Sequence, residues 1–134
     1  MKTSGWFVVL TSLPLLFLSA CEWSHSADHP TVILTVEDNG RTVGLPLHAN
    51  LEVVLKGNPS TGYRWQTIAI NPAILQYQST EYNPDSTDIG ASGTYLFHYQ
   101  ATALGSSPLQ LHYSDTNGLN TTLSFTVTVN VTAQ

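Results

Sequence analysis

The chain has 134 residues, 42% hydrophobic and only 10% charged, with a formal net charge of −5 and one cysteine. That length suits one domain. Four basic residues against nine acidic ones leave no cationic stripe to neutralise phosphates, so a nucleic-acid partner is excluded. A single cysteine makes no internal disulfide and no thiolate zinc site. Polarity carried by Ser, Thr, Asn and Gln rather than by charge argues against a helical bundle.

Residues 1–20 read as an export signal. Lys2 supplies the positive start, and residues 6–17 are almost wholly apolar. The apolar run is shorter than the roughly 20 residues a membrane-spanning helix needs, and Pro14 interrupts it. Its end, Leu18-Ser19-Ala20-Cys21, resembles the bacterial lipobox, in which cleavage falls before the cysteine and the cysteine carries the lipid. Cys21 is therefore the expected lipidation site and membrane anchor, and lipidation accounts for a lone thiol in an oxidising compartment. Glu22 follows it in place of the aspartate that marks inner-membrane retention. The expected location is the bacterial cell envelope, lipid-anchored to the outer membrane and facing the periplasm. Residues 21–30 are polar and aperiodic, and read as a tether. His25 and His29 in it lack a third ligand, so no metal is expected there.

From residue 31 onward the period is two. Val32-Ile33-Leu34-Thr35-Val36-Glu37 is a strand stopped by the turn signal Asp38-Asn39-Gly40. Residues 51–56 form a second strand, stopped by Gly57-Asn58-Pro59, and residues 63–68 a third. Residues 74–77 make a short fourth. Residues 93–101 alternate cleanly, with Tyr95, Phe97, Tyr99 and Ala101 on one face. Residues 109–113 alternate as well. The last run, 123–131, turns Leu123, Phe125, Val127, Val129 and Val131 inward. No window shows helical spacing. The expectation is an all-β fold for residues 31–134: an immunoglobulin-like antiparallel β-sandwich of seven or eight strands.

No catalytic constellation is present. There is no Gly-x-Ser-x-Gly elbow, no His-Glu-x-x-His and no phosphate-cradling glycine loop ahead of a helix, and the one cysteine is assigned to lipid. His98 and His112 are expected to face outward across a hairpin turned at Gly105-Ser106-Ser107-Pro108. Two histidines fall short of a metal site. An enzyme is the least favoured class, and no cofactor is called for.

The unusual segment is Asn58-Pro59-Ser60-Thr61-Gly62-Tyr63-Arg64-Trp65. Pro59 fixes one φ, Gly62 permits a positive φ, and the Asn58 side chain caps the turn. A short, preordered loop with small polar residues at its tip is expected. Tyr63 and Trp65 turn inward below it.

This segment resembles the Asn-Pro-Thr-Thr-Gly-Phe-x-Trp motif of the chagasin family, protein inhibitors of papain-like cysteine peptidases. Ser60 replaces the first Thr and Tyr63 the Phe. Gly90-Ala91-Ser92-Gly93, running into residues 94–101, is similar to the family's second loop, Gly-x-Gly-Gly, and its aromatic strand. Residues 103–113 resemble the hairpin back, ending in a strand-final Tyr, and residues 125–129 the last strand. The resemblance covers residues 31–131. It implies a reversible inhibitor and not an enzyme, acting as a monomer. The loop of Asn58, Pro59, Ser60, Thr61 and Gly62 would enter the cleft with Thr61 nearest the thiolate. Gly90, Ala91, Ser92 and Gly93 would flank it on one side, and Ser114, Asp115 and Thr116 on the other.

The third loop departs from the pattern. Where the family carries Arg-Pro-Trp after the strand-final Tyr, this chain has Ser114-Asp115-Thr116-Asn117-Gly118. Loss of such an aromatic anchor costs about 2–4 kcal/mol, or roughly 30- to 1000-fold in affinity. The open alternatives are weak inhibition, a different target enzyme, or a non-inhibitory envelope binding module on the same fold.

Overall fold

The computed structural model describes residues 28–134. The expected export signal, Cys21 and residues 22–27 of the expected tether lie outside them. Eight strands form two four-stranded sheets. They are β1 (Thr31–Thr35), β2 (Thr42–Pro46), β3 (Asn50–Gly57), β4 (Tyr63–Ile70), β5 (Leu75–Pro84), β6 (Gly93–Ala101), β7 (Gly105–Asp115) and β8 (Thr121–Thr132). One sheet runs β1-β3-β6-β5 and the other β2-β8-β7-β4. The expected sandwich is present. Its body is antiparallel, and two edge strands join in parallel, β1 on β3 and β2 on β8.

Alternation explains the core. Leu51, Val53 and Leu55 of β3 and Tyr95, Phe97, Tyr99 and Ala101 of β6 are buried from one sheet. Leu109 and Leu111 of β7, Trp65 of β4 and Phe125, Val127, Val129 and Val131 of β8 meet them from the other. Thr67 Oγ1 and the Tyr99 hydroxyl lie 2.9 Å apart and link the sheets. Burial pushes the Tyr99 phenol up to about 12.

Several readings of the sequence differ from the structure. β1 stops at Thr35, and Val36–Asp38 form a 3₁₀ turn where the sequence carries the strand to Glu37. β2 reads poorly as a strand because Gly44 and Pro46 interrupt it, and both are tolerated because it is an edge. β5 runs past Tyr77 to Pro84, where the sequence ends it, because a bulge between Tyr77 and Ser79 breaks the alternation. Leu123 has the inward parity yet is 54% exposed. It lines a groove of about 300 Å³ with Val36, Val54 and Trp65 at the open side of the sandwich.

Finally, residues 102–104 do not join a hairpin. They carry the chain from β6 in one sheet to β7 in the other, so His98 and His112 lie on different sheets. His98 instead sits between carboxylates, with Nδ1 3.6 Å from Glu52 Oε2 and Nε2 3.7 Å from Glu81 Oε1. Among the described residues no group of three or more His, Cys, Asp or Glu side chains is placed to hold a metal.

Candidate functional site

Strand register brings three loops to one end of the sandwich. Gly57, the last residue of β3, pairs with Gly93, the first of β6, and Gly93 pairs with Pro84, the last of β5. On the other sheet Tyr63, the first of β4, pairs with Asp115, the last of β7. Residues 58–62 therefore bridge the two sheets at that end. The β5–β6 loop, residues 85–92, flanks them from one sheet, and the β7–β8 loop, residues 116–120, from the other.

The central loop is built as its residues predict. Asn58 caps a 3₁₀ turn, Pro59–Thr61, and its Oδ1 accepts from Ser60 N at 3.0 Å and Ser60 Oγ at 2.6 Å. The Thr61 hydroxyl donates to the Asn58 carbonyl at 2.7 Å. Gly62 closes the turn at φ +83°, with its N–H on the Pro59 carbonyl at 3.1 Å. Pro59, Ser60, Thr61 and Gly62 are exposed, while Asn58 is half-buried.

The base of this loop is braced by the interior. The Tyr113 hydroxyl accepts from Asn58 N at 2.7 Å and donates to the Asn58 carbonyl at 3.0 Å. Its ring packs against Tyr63 at 5.9 Å and Trp65 at 5.3 Å. Trp65 Nε1 donates to the Lys56 carbonyl at 2.9 Å. Trp65 is buried as expected, and Tyr63 is half-buried. A Cβ on Gly57 would stand 2.9 Å from the Tyr95 ring and 3.0 Å from the Tyr113 ring, so only glycine lets this aromatic floor close.

The second loop is tied to the first. Asn58 Nδ2 donates to the Gly90 carbonyl at 2.9 Å, the Tyr82 hydroxyl donates to the Ala91 carbonyl at 3.2 Å, and Lys56 Nζ pairs with Asp85 at 2.9 Å. Gly90 and Ser92 are exposed and Ala91 is half-buried. Gly93 is buried: a Cβ there would stand 2.5 Å from both the Asn83 carbonyl and the Tyr82 hydroxyl. Gly93 sets the strand pairing under the loop and presents no surface.

The third loop is organised by Asp115. Its carboxylate accepts from Asn120 Nδ2 at 2.7 Å, Leu119 N at 2.9 Å and Asn120 N at 3.3 Å. The Asn120 side chain first, with the loop amides adding to it, holds the Asp115 carboxyl below the usual aspartate value. Thr116 is exposed, as a contact residue must be. Ser114, named with it from the sequence, is 1% exposed within β7, so it is not a surface residue. Tyr113 and Asn120 carry the loop architecture without having stood out in the sequence. Tyr113 was visible there only as the strand-final aromatic.

A model of the family described as Chagasin family peptidase inhibitor I42 matches residues 45–131, which take in all three loops. Chagasin of Trypanosoma cruzi is 29% identical over 85 residues, covering 60% of this chain and 77% of its own length. Amoebiasin-1 of Entamoeba histolytica is 29% identical over 101 residues, covering 73% of this chain and 97% of its own. The crystal structure of a cysteine protease inhibitor from Entamoeba histolytica superposes with a TM-score of 0.67 over 78% of this chain and 98% of that one. At 19% identity that likeness speaks to the fold.

Proposed function

The chain belongs to the chagasin family of I42 peptidase inhibitors, and we propose that it inhibits papain-like cysteine peptidases reversibly by filling their active-site cleft with the 58–62 loop. The family is one of inhibitors rather than enzymes, and its activity here is occlusion. The observation that carries the reading is the brace on Asn58, which ties the exposed loop to Tyr113 beneath it and to Gly90 beside it. A loop already ordered before contact loses little conformational freedom on binding, and the saving appears as affinity. Thr61 lies over the catalytic thiolate, and the two hairpin loops rest on the cleft rims. The protein acts as a monomer.

The lipobox-like Leu18-Ser19-Ala20-Cys21 supports a lipid anchor on Cys21, placing the inhibitor in the cell envelope on the outer membrane. The third loop, with Asp115 and Thr116 where the family pattern has Arg-Pro-Trp, favours a second reading: a non-inhibitory module holding another envelope protein at the same loops.

Titration of a papain-type peptidase with the purified protein tests the first reading. Inhibition at sub-micromolar concentration is expected, weakened about 100-fold or more in Thr61→Arg, which places a long charged side chain at the tip. No inhibition of several papain-like enzymes by the folded protein would overturn it and leave the second.

A further inference from the structure

We propose that Ile89 and Leu119 are the two apolar anchors of this surface, one on each flanking loop, and that they seat in apolar pockets on opposite walls of the peptidase cleft. The proposal rests on the inhibitory reading and deepens it. Among the described residues these are the two most exposed large hydrophobic side chains, at 106% and 81%. Single exposed apolar residues are common on any surface. Here they lie on the two loops that bracket the 58–62 loop, each on a hydrogen-bonded backbone.

Ile89 is the second residue of a tight turn closed by the Ala91 N–H on the Asp88 carbonyl at 3.2 Å, with Gly90 at φ +82° in third place. Ser86 Oγ and Asp88 Oδ2 hold the turn at 3.1 Å, and Asn58 Nδ2 holds the Gly90 carbonyl. Leu119 gives its own N–H to the Asp115 carboxylate, while Gly118, at φ +70°, gives its N–H to the Asp115 carbonyl at 2.9 Å.

Both side chains therefore project from ordered backbone into solvent, the condition under which an apolar contact contributes most to binding. Of the nearby carboxylates, Asp85 pairs with Lys56, Asp88 accepts from the Ser86 hydroxyl, and Asp115 is held by its own loop. The complementary surface is a slot that admits small polar residues, with an apolar pocket on either side. Leu119 restores apolar area to the loop that lacks Trp.

Inhibition constants and dissociation rates against a papain-type peptidase test this, for the purified protein and for Ile89→Ser, Leu119→Ser, the double variant and Leu104→Ser. Leu104 is also an exposed hydrophobic, 56% accessible, but stands at the opposite end of the sandwich. Each loop variant is expected to weaken inhibition about 10-fold, mainly through faster dissociation, and the double variant about 100-fold. Leu104→Ser should leave inhibition unchanged, and all four should keep the melting temperature. If the loop variants inhibit within about twofold of the parent while Thr61→Arg still abolishes inhibition, the anchors are wrong and the inhibitory reading stands. If the parent protein fails to inhibit, both fall.

Discussion

The loops at residues 58–62 and 116–120 stand on paired strand ends, Tyr63 against Asp115, and are held in opposite ways. The first is braced from below and from the side: Tyr113 grips both backbone polar groups of Asn58, and Asn58 grips Gly90. The third is held by its own carboxylate, with Asp115 collecting Leu119 and Asn120. A loop coupled to the core shares the core's stability, whereas one closed by a surface carboxylate opens locally at small cost. The difference separates a loop tied into the core from a flank ordered by its own carboxylate.

The largest expected effect lies under the second loop. Gly93→Ala drives a Cβ into the Asn83 carbonyl and the Tyr82 hydroxyl, and should cost about 1–3 kcal/mol of stability by thermal melting. Inhibition should weaken with it, because the Gly90 carbonyl loses its place beside Asn58. Tyr113→Phe comes next. It keeps the aromatic packing but leaves Asn58 N without its partner, while the Asn58 carbonyl keeps only the Thr61 hydroxyl and amide, at about 1–3 kcal/mol. Amide exchange should quicken at Ser60, Thr61 and Gly62 while Leu119 and Asn120 stay as protected as before. Equal loosening of both loops would break the distinction between them.

Gly118→Ala has open space for its Cβ but a φ of +70°, so it should cost about 1–2 kcal/mol at most, confined to the third loop. The smallest effect is acid. Because the Asp115 carboxyl titrates below its unfolded value, its contribution is complete above the ordinary aspartate range and is lost as pH falls through the lowered folded value. Protection of the Leu119 and Asn120 amides should fall over that acid window, with no matching change at Gly62.

Much of this was legible in the residues. Asn58, Pro59 and Gly62 announce a capped turn with a left-handed exit, and the turn is built that way. Strict alternation in residues 93–101 places Tyr95, Phe97, Tyr99 and Ala101 correctly. What the residues hid depends on neighbours distant in the chain. Ser114 reads as a polar loop residue, yet it lies within β7, paired with Arg64, and is buried. His98 and His112 read as partners across a turn, yet the segment between them changes sheets. The bulge near Gln78 conceals the length of β5. Ile89 and Leu119 carry no periodic signal at all; only the convergence of the loops gives them a role.

Occlusion is tested most directly at the peptidase's own thiol. A papain-type enzyme held with a slight excess of the protein and challenged with a small alkylating agent should keep its active-site cysteine, in proportion to the complex formed, with Thr61→Arg giving little protection. Alkylation at the rate of the free enzyme, under conditions where the complex is shown to be intact, would place the 58–62 loop outside the cleft.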